Sequence, residues 1–335
     1  MRIRYEDMVN EFTRVLVKYE FQESQARESA VLFANNSVDG VYSHGVNRFP
    51  RVISYIKKGY IDPKAVPTKE EGLGGLERWN GNLGMGNLNA KICMNRAVEL
   101  AHQHGIGCVA IRNTNHWMRG GAYGWQAADR GCIGICWTNT QPNMPAWGAQ
   151  DRRIGNNPFI MAIPRSNGEH VVVDCAMAQF SYGKIEECKL KGLQLPVPGG
   201  FDSKGEITCD PTEIEKTWRV LPIGYWKGSG MSIALDLIAT LLSGGNSVTK
   251  VGKLESGDEY GLSQVVMAIE PHHFSTFIQT DALIDQVLED IKASIPVAKN
   301  GKIFYPGELE TKTRRDNLQN GIPVEPEIWN TITAF

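Results

Sequence analysis

The order of helix-type and strand-type patterns constrains this chain more than any other feature. Helical periodicity dominates both ends, and short apolar runs of the strand type lie mainly between them. The predicted helices cover residues 5–19, 24–37, 46–58, 88–104, 231–242, 281–295 and 326–332. The predicted strands cover residues 107–112, 133–138, 159–163, 170–174 and 265–269. Because these elements do not alternate in a regular βαβ rhythm, the predicted fold class is α+β rather than a doubly wound sheet.

The length and the charge balance exclude several classes of protein. With 335 residues the chain can build a sizeable core and more than one domain. The net charge is -2, and Lys and Arg are scattered, so no nucleic-acid partner is expected. Charged residues stand near the amino terminus where a secretory signal needs apolar ones. The apolar segment 231–242 is shorter than the roughly 20 residues that a membrane span needs. We therefore expect a cytoplasmic protein without a membrane partner.

The seven cysteines are an odd number and contain no C-x-x-C pair. Cys132 and Cys136 lie in one apolar run, where their spacing places both on the same face of a strand. No histidine or carboxylate stands close to them in sequence, so buried free thiols are preferred over a metal site. This cysteine usage suits a reducing compartment, and no bound metal is predicted.

A histidine and an arginine stand four residues apart in the segment 41–51. If this segment opens a helix, His44 and Arg48 lie on one face, one turn apart. Arg48 could then hold a carboxylate by a two-pronged hydrogen bond while His44 exchanges a proton with a neighbouring oxygen. The alternative is that the pair merely caps and solvates a helix start after Ser43.

A glycine cluster at 81–86 approximates the G-x-G-x-x-G pattern of dinucleotide-binding turns. Its last glycine is replaced by Asn89, and no clear strand leads into it. A turn that precedes the next helix is therefore the preferred interpretation.

Several ordered segments resemble the type-2 malate/L-lactate dehydrogenase family. The matching segments are residues 42–51, 115–121, 134–139, 180–183, 224–232, 258–261 and 306–308. The resemblance implies a mainly antiparallel, mixed sheet domain with a nicotinamide site that is not a Rossmann fold. It also implies a helical domain built from both chain ends. The expected divisions are residues 1–70 and 281–335 for the helical domain and 71–280 for the α+β cofactor-binding domain.

The resemblance further implies an oxidoreductase that uses NAD(P)H to reduce a 2-oxo carboxylate. The expected substrate is a small sugar acid, 2,3-diketo-L-gulonate, reduced at C2 to 3-dehydro-L-gulonate. The alternatives are a malate, L-lactate or ureidoglycolate type dehydrogenase, or a non-catalytic sugar-acid binding protein. NAD is the expected cofactor, with NADH preferred and NADPH possible, and family members pair as homodimers.

Residue roles follow from the same resemblance. His44 is the expected proton donor, Arg48 the carboxylate anchor, and His116 a second-choice acid or an orienting hydrogen-bond donor. The expected cofactor-binding residues are His170, Val171, Val172, Val173, Asp174, Cys175, Ala176, Trp226, Lys227, Gly307 and Glu308. Physically, carboxylates accept hydrogen bonds from ribose hydroxyls, a lysine neutralises phosphate, and glycine permits close backbone approach.

Two local departures from the family pattern narrow the subgroup. The chain has Asn156 where the family usually has threonine, and Met177 and Ala178 where threonine and serine are usual.

A polyhydroxylated substrate also needs polar contacts beyond C2. The candidates for those contacts are Asn115, His116, Arg119 and Asn157, whose loops could equally use these groups for internal bonds.

Overall fold

The fold is described by a computed structural model that covers residues 1–254, 257–299 and 301–335. The helices are α1 Tyr5–Lys18, α2 Glu23–Val38, α3 Phe49–Lys57, α4 Gly86–His104, α5 Gly121–Ala128, α6 Tyr182–Leu190, α7 Pro211–Thr217, α8 Trp226–Ser243, α9 Val248–Val251, α10 Phe277–Lys292, α11 Glu308–Asn320 and α12 Pro326–Ala334. The strands are β1 Arg2–Ile3, β2 Thr68–Leu73, β3 Leu76–Asn80, β4 Ile106–Thr114, β5 Ile133–Thr138, β6 Met144–Pro145, β7 Arg152–Ile154, β8 Phe159–Ile163, β9 Val171–Cys175, β10 Gly200–Phe201, β11 Ile207–Thr208, β12 Leu262–Ile269 and β13 Ile322–Pro323.

The largest sheet within these described residues has seven strands in the order β2-β3-β4-β12-β5-β8-β9. Strands β3 and β4 are parallel, and the other neighbours are antiparallel. Helices α4 and α5 pack on the sheet around an apolar cluster that includes Val109 and Val266. Helix α8 packs around a different cluster, which includes the neighbouring strand residues Ala110 and Val265. Because adjacent strand residues point to opposite faces, the sheet is covered on both sides. The prediction of a mainly antiparallel α+β fold is confirmed.

Both ends of the chain contribute to one helical core. Phe12 of α1 stacks on Phe49 of α3 with ring centroids 4.2 Å apart, and Trp329 of α12 lies 6.5 Å from Phe12. Strand β1 pairs with β13, which fixes the amino terminus beside the last helix. Helix α10 instead contacts the β8–β9 loop, where Asp285 accepts a hydrogen bond from Arg165 at 2.6 Å. The division at residues 70 and 280 stays a prediction.

A strand does lead into the glycine cluster, so the expectation that none precedes it is wrong. Strand β3, helix α4 and the parallel strand β4 form a crossover. The strand escaped notice because its one fully buried residue is Glu77, which breaks the apolar pattern. Protein groups fill the space around the first turn of α4. The Asn89 amide donates to Gly81 O at 3.0 Å, and a Cβ at Gly86 would lie 2.3 Å from Asn115 O.

No helix in the described ranges is long and apolar enough to cross a bilayer.

Candidate active site

The segment that carries His44 and Arg48 does not form the continuous helix on which the expectation of one shared face depended. Residues 42–44 form a 3-10 turn, Gly45 breaks it with φ -114° and ψ -119°, and α3 begins only at Phe49. The predicted start at residue 46 is wrong because Pro50 is tolerated only in a first turn, and a later start at Phe49 places it there. Gly45 is packed so closely that a Cβ would lie 2.2 Å from Ser37 Oγ.

His44 nevertheless meets His116, which follows β4. The two imidazole rings are stacked, with centroids 5.7 Å apart and planes inclined by 26°. The Ser43 hydroxyl lies 2.9 Å from His44 Nδ1, and the Met118 N–H donates to His116 Nδ1 at 2.9 Å. The structure therefore brings together two histidines that are 72 positions apart in the chain.

The hydrogen bonds give the two rings different chemistry. Nδ1 of His116 is an acceptor, so its neutral ring carries the proton on Nε2, and protonating Nδ1 would set two N–H groups against each other. The Ser43 hydroxyl can either donate or accept, so His44 can be neutral or charged. Burial and the charges of Arg48 and Arg119 lower the pKa of His44 to about 4. Burial and the same Arg48 charge lower the pKa of His116 well below its usual value.

Arg48 is a half-buried cation beside these rings. Burial lowers the pKa of its guanidinium, and the negative charge of Glu259 partly restores it. Glu259 itself is buried and accepts a hydrogen bond from the Gln141 N–H at 3.0 Å. Among the residues that the structure describes, the Arg48 side chain has no hydrogen bond or ion pair of its own. Its donors are therefore available to a small anion.

The segments predicted to bind cofactor lie next to one another. Val172 of the edge strand β9 donates its N–H to Pro306 O at 2.9 Å, and Gly307 has φ +97°. A Cβ at Gly307 would lie 2.9 Å from His170 O, so only glycine fits there without displacing β9. After β9, Met177 O accepts from the Ile223 N–H at 2.9 Å, which draws the segment before α8 to the same edge.

The side chains at this edge differ in availability. Trp226 is 65% exposed, and Lys227 makes no ion pair within the described ranges, so both can contact a ligand. Glu308 pairs with Lys292 at 3.3 Å and Lys312 at 3.0 Å. His170 is buried and hydrogen-bonded to Asp129 at 2.9 Å, so its side chain is structural.

A sequence profile described as malate/L-lactate dehydrogenase matches residues 3–333. The chain is 48% identical over 335 residues to a protein named 2,3-diketo-L-gulonate reductase from Salmonella paratyphi B, covering 100% of both chains. The chain belongs to the malate/L-lactate dehydrogenase family.

Solved structures agree with this assignment. A sulfolactate dehydrogenase from Methanocaldococcus jannaschii is 30% identical, covers 99% of this chain and 95% of its own, and gives a TM-score of 0.91. A malate dehydrogenase from Pyrococcus horikoshii is 27% identical, covers 100% and 95%, and gives a TM-score of 0.89. The chain is therefore an oxidoreductase of a nicotinamide-dependent family, as predicted.

Three residues predicted to reach substrate hydroxyls are engaged inside the protein. The Asn115 amide donates to Tyr60 O at 3.0 Å, and the Asn157 amide donates to Ser232 O at 2.9 Å. The buried Arg119 forms an ion pair with Asp39. Within the described residues, two polar atoms of these candidates are left over: the Oδ1 atom of Asn115, which has no hydrogen-bond partner, and the His116 ring nitrogen that is not held by Met118.

Two participants were missed by sequence reasoning. Glu259 lies in a segment that carried the family resemblance, but its residue type alone gave no reason to pair it with Arg48. No sequence signal pointed to a contact between Ser43 and His44, whereas the Ser43 hydroxyl lies 2.9 Å from His44 Nδ1.

Proposed function

We propose that this enzyme is an NAD(P)H-dependent reductase of 2-oxo carboxylates, with 2,3-diketo-L-gulonate as its substrate and 3-dehydro-L-gulonate as its product. The observation that carries the reaction type is the Arg48 guanidinium, which has no hydrogen bond or ion pair within the described residues, beside two histidines. Of these two, His44 has the neighbour that tolerates both protonation states. The choice of substrate is supported by the relative named 2,3-diketo-L-gulonate reductase, which matches the whole chain.

In this proposal Arg48 binds the substrate carboxylate by a two-pronged, charge-assisted hydrogen bond. The reduced nicotinamide, when bound, supplies the hydride for the C2 carbonyl. His116, kept neutral with its proton on Nε2, donates a hydrogen bond to the developing alkoxide. His44 gives that oxygen its proton and later recovers one through its Ser43 contact or from solvent.

Substrate binding and protonation of His44 are coupled in this arrangement. The charge of Arg48 is the second largest cause, after burial, of the low pKa of His44. A carboxylate on Arg48 offsets that charge and brings a negative group near the ring, so it raises the pKa of His44. His44 is therefore protonated most readily when substrate is bound, so the proton and the carbonyl that receives it are held in the same site.

For the cofactor we propose NAD, with NADH preferred and NADPH possible. The contacts assigned to it are the β9 segment His170, Val171, Val172, Val173, Asp174, Cys175 and Ala176, then Trp226, Lys227, Gly307 and Glu308. The fit is supported by the exposed Trp226 indole and by the Lys227 ammonium, which lies over that ring and makes no ion pair among the residues that the structure describes. Asp174 and Glu308 offer acceptors to ribose hydroxyls and disfavour an additional phosphate.

We also propose a cytoplasmic homodimer. All seven cysteines are free thiols, which suits a reducing compartment. Helix α8 exposes Met231 by 45%, Leu237 by 53% and Leu241 by 74%, an apolar face that a second copy would cover. Leu241→Glu should shift the protein toward monomer in sedimentation velocity, whereas Leu318→Glu on α11 should not.

A rival substrate has specific support, because the structures with similar folds include sulfolactate and malate dehydrogenases. Rates of NADH oxidation with 2,3-diketo-L-gulonate, oxaloacetate and pyruvate separate the possibilities. We expect the highest kcat/KM for the sugar acid, by up to about ten-thousandfold where hydroxyl contacts decide. Equal or better rates with oxaloacetate or pyruvate would refute the substrate while leaving the reductase. Binding of NADH and acid without turnover would instead support a non-catalytic binding protein.

A further inference from the structure

A second cluster of metal-ligating side chains lies at the carboxyl end of α4. His102 Nδ1 is 2.6 Å from Glu270 Oε2, and Cys132 completes a group whose ligand atoms all lie within 4.8 Å of one another. The three residues come from the last turn of α4, the turn before β5 and the position after β12. We propose that His102, Cys132 and Glu270 form a Zn²⁺ site, separate from the stacked histidines of the active site.

The ligand types and spacings suit zinc. Zinc takes imidazole, thiolate and carboxylate ligands at about 2.0–2.3 Å, so tetrahedral neighbours stand roughly 3.3–3.6 Å apart. The distance from His102 to Glu270 is shorter than this, and the group as a whole spans up to 4.8 Å. Small side-chain rotations that move His102 and Glu270 apart and bring Cys132 closer to them therefore give the separations that zinc requires. The fourth position stays open to water.

Contacts around the cluster hold Glu270 in a ligating orientation. The His272 N–H donates to Glu270 Oε1 at 2.9 Å, which turns Oε2 toward His102. The Glu270 N–H donates to Gly105 O at 2.9 Å, so the end of β12 is tied to the end of α4. Cys132 is fully buried, whereas the His102 side chain is 41% exposed and gives an ion a way in.

A further buried nitrogen lies beside this cluster. The Nε2 atom of His272 is buried and has no hydrogen-bond partner in the part of the chain that the structure describes. Its neighbouring ring carbon lies 3.8 Å from where a Cβ on Gly131 would stand, next to Cys132. Polar groups of this kind are usually satisfied by a ligand or by water.

Binding of zinc here displaces a proton. A cysteine thiol has an ordinary pKa of about 8.5. Without metal, the thiol therefore keeps its proton at neutral pH. When Zn²⁺ binds, the S–H bond breaks, the sulfur forms the metal bond, and one proton leaves to solvent. Zinc affinity should accordingly rise with pH.

The full-length protein, freed of metal by chelation, tests the site by titration with Zn²⁺ and with Co²⁺. We expect one Zn²⁺ per chain and a thiolate-to-cobalt charge-transfer band. Cys132→Ser should abolish that band, whereas Cys209→Ser, at a half-buried thiol elsewhere, should retain it. His102→Asn should weaken Zn²⁺ binding at least about a hundredfold, beyond the range typical of outer-shell changes. His104→Asn, at an exposed histidine in the same helical turn, should not.

The proposal is overturned if the protein takes up no stoichiometric Zn²⁺, if the cobalt band survives Cys132→Ser, or if His102→Asn binds zinc as tightly as His104→Asn. Should Cys132→Ser fail to fold, the comparison of His102→Asn with His104→Asn decides, because both side chains lie at the helix surface. NADH oxidation is not used as the readout, so failure here leaves the proposed reductase activity untouched.

Discussion

The imidazole rings of His44 and His116 stack with centroids 5.7 Å apart, yet their Nδ1 atoms have different kinds of hydrogen-bond partner. The backbone N–H of Met118 confines His116 to one tautomer, and the hydroxyl of Ser43 leaves His44 free to change its charge. Two residues of the same type are thereby given separate roles by one hydrogen bond each.

Replacement of His44 tests its role as the proton donor. His44→Ala should lower kcat by about a hundredfold to ten-thousandfold, the usual contribution of general acid catalysis, while NADH binding is retained. Steady-state kinetics and fluorescence quenching measure the two quantities. His104→Ala, at an exposed histidine of α4, is the control. Near-normal turnover in a folded His44→Ala protein would remove this residue from the mechanism.

Replacement of Arg48 tests carboxylate anchoring. Arg48→Lys should mainly raise KM for the acid, because an ammonium is a point charge that cannot reproduce the two-pronged contact. The KM for NADH should change little, which makes the cofactor an internal control. An unchanged KM for the acid would show that another group binds the carboxylate.

The titration of His44 is a separate prediction. Its pKa in the folded protein is about 4, below the ordinary 6.5. The unfolded chain therefore binds the proton first as pH falls. The contribution that this pKa difference makes to the free energy of unfolding is fully present above pH 6.5 and is lost as pH falls toward 4. Arg48→Gln removes one cause of the shift, so the pKa of His44 should rise toward 6.5 in an NMR titration. A pKa of His44 that does not rise would mean that Arg48 does not act on it.

Two glycines distinguish the possible cofactor sites. Gly307→Ala should raise the Kd for NADH, because a residue at φ +97° with a Cβ 2.9 Å from His170 O must displace β9. Gly84→Ala in the glycine cluster meets Ala65 O at 3.0 Å and should leave that Kd nearly unchanged. Calorimetric titration with NADH measures both. The opposite pattern would place the dinucleotide at the start of α4 and overturn the assigned cofactor segments.

Glu77 offers a test of stability away from the active site. Burial alone would raise its pKa, but hydrogen bonds from Arg96, Lys69 and Trp79 lower it to about 2. Glu77→Gln should reduce the free energy of unfolding by roughly 1.5–3 kcal/mol, the range for hydrogen bonds to charged groups. This contribution is present above pH 4.5 and is lost as pH falls toward 2. Urea unfolding of Glu71→Gln, on the exposed side of the same hairpin, supplies the control.

Local sequence patterns predicted most of the secondary structure. Strands β5 and β8 match their predicted ranges, and α8 ends at Ser243, directly before Gly244, which lies in the left-handed region. These elements have strong apolar periodicity or an unambiguous stop signal, which act within a few residues. Helix α11, composed mostly of charged and polar residues, was missed because its formation depends on contacts with α2 rather than on an apolar face.

The residue types at positions 44 and 48 were enough to suggest an acid and an anion anchor, because proton transfer by imidazole and anion binding by guanidinium are properties of the side chains themselves. Their arrangement was not, since Gly45 packs against Ser37 and ends the 3-10 turn before α3 begins. Tertiary packing also decides two other arrangements. These are the stacking of His44 on His116 and the proximity of His102, Cys132 and Glu270. Each joins positions far apart in the chain, and the distances between such positions are set by packing of the sheet and helices rather than by local sequence.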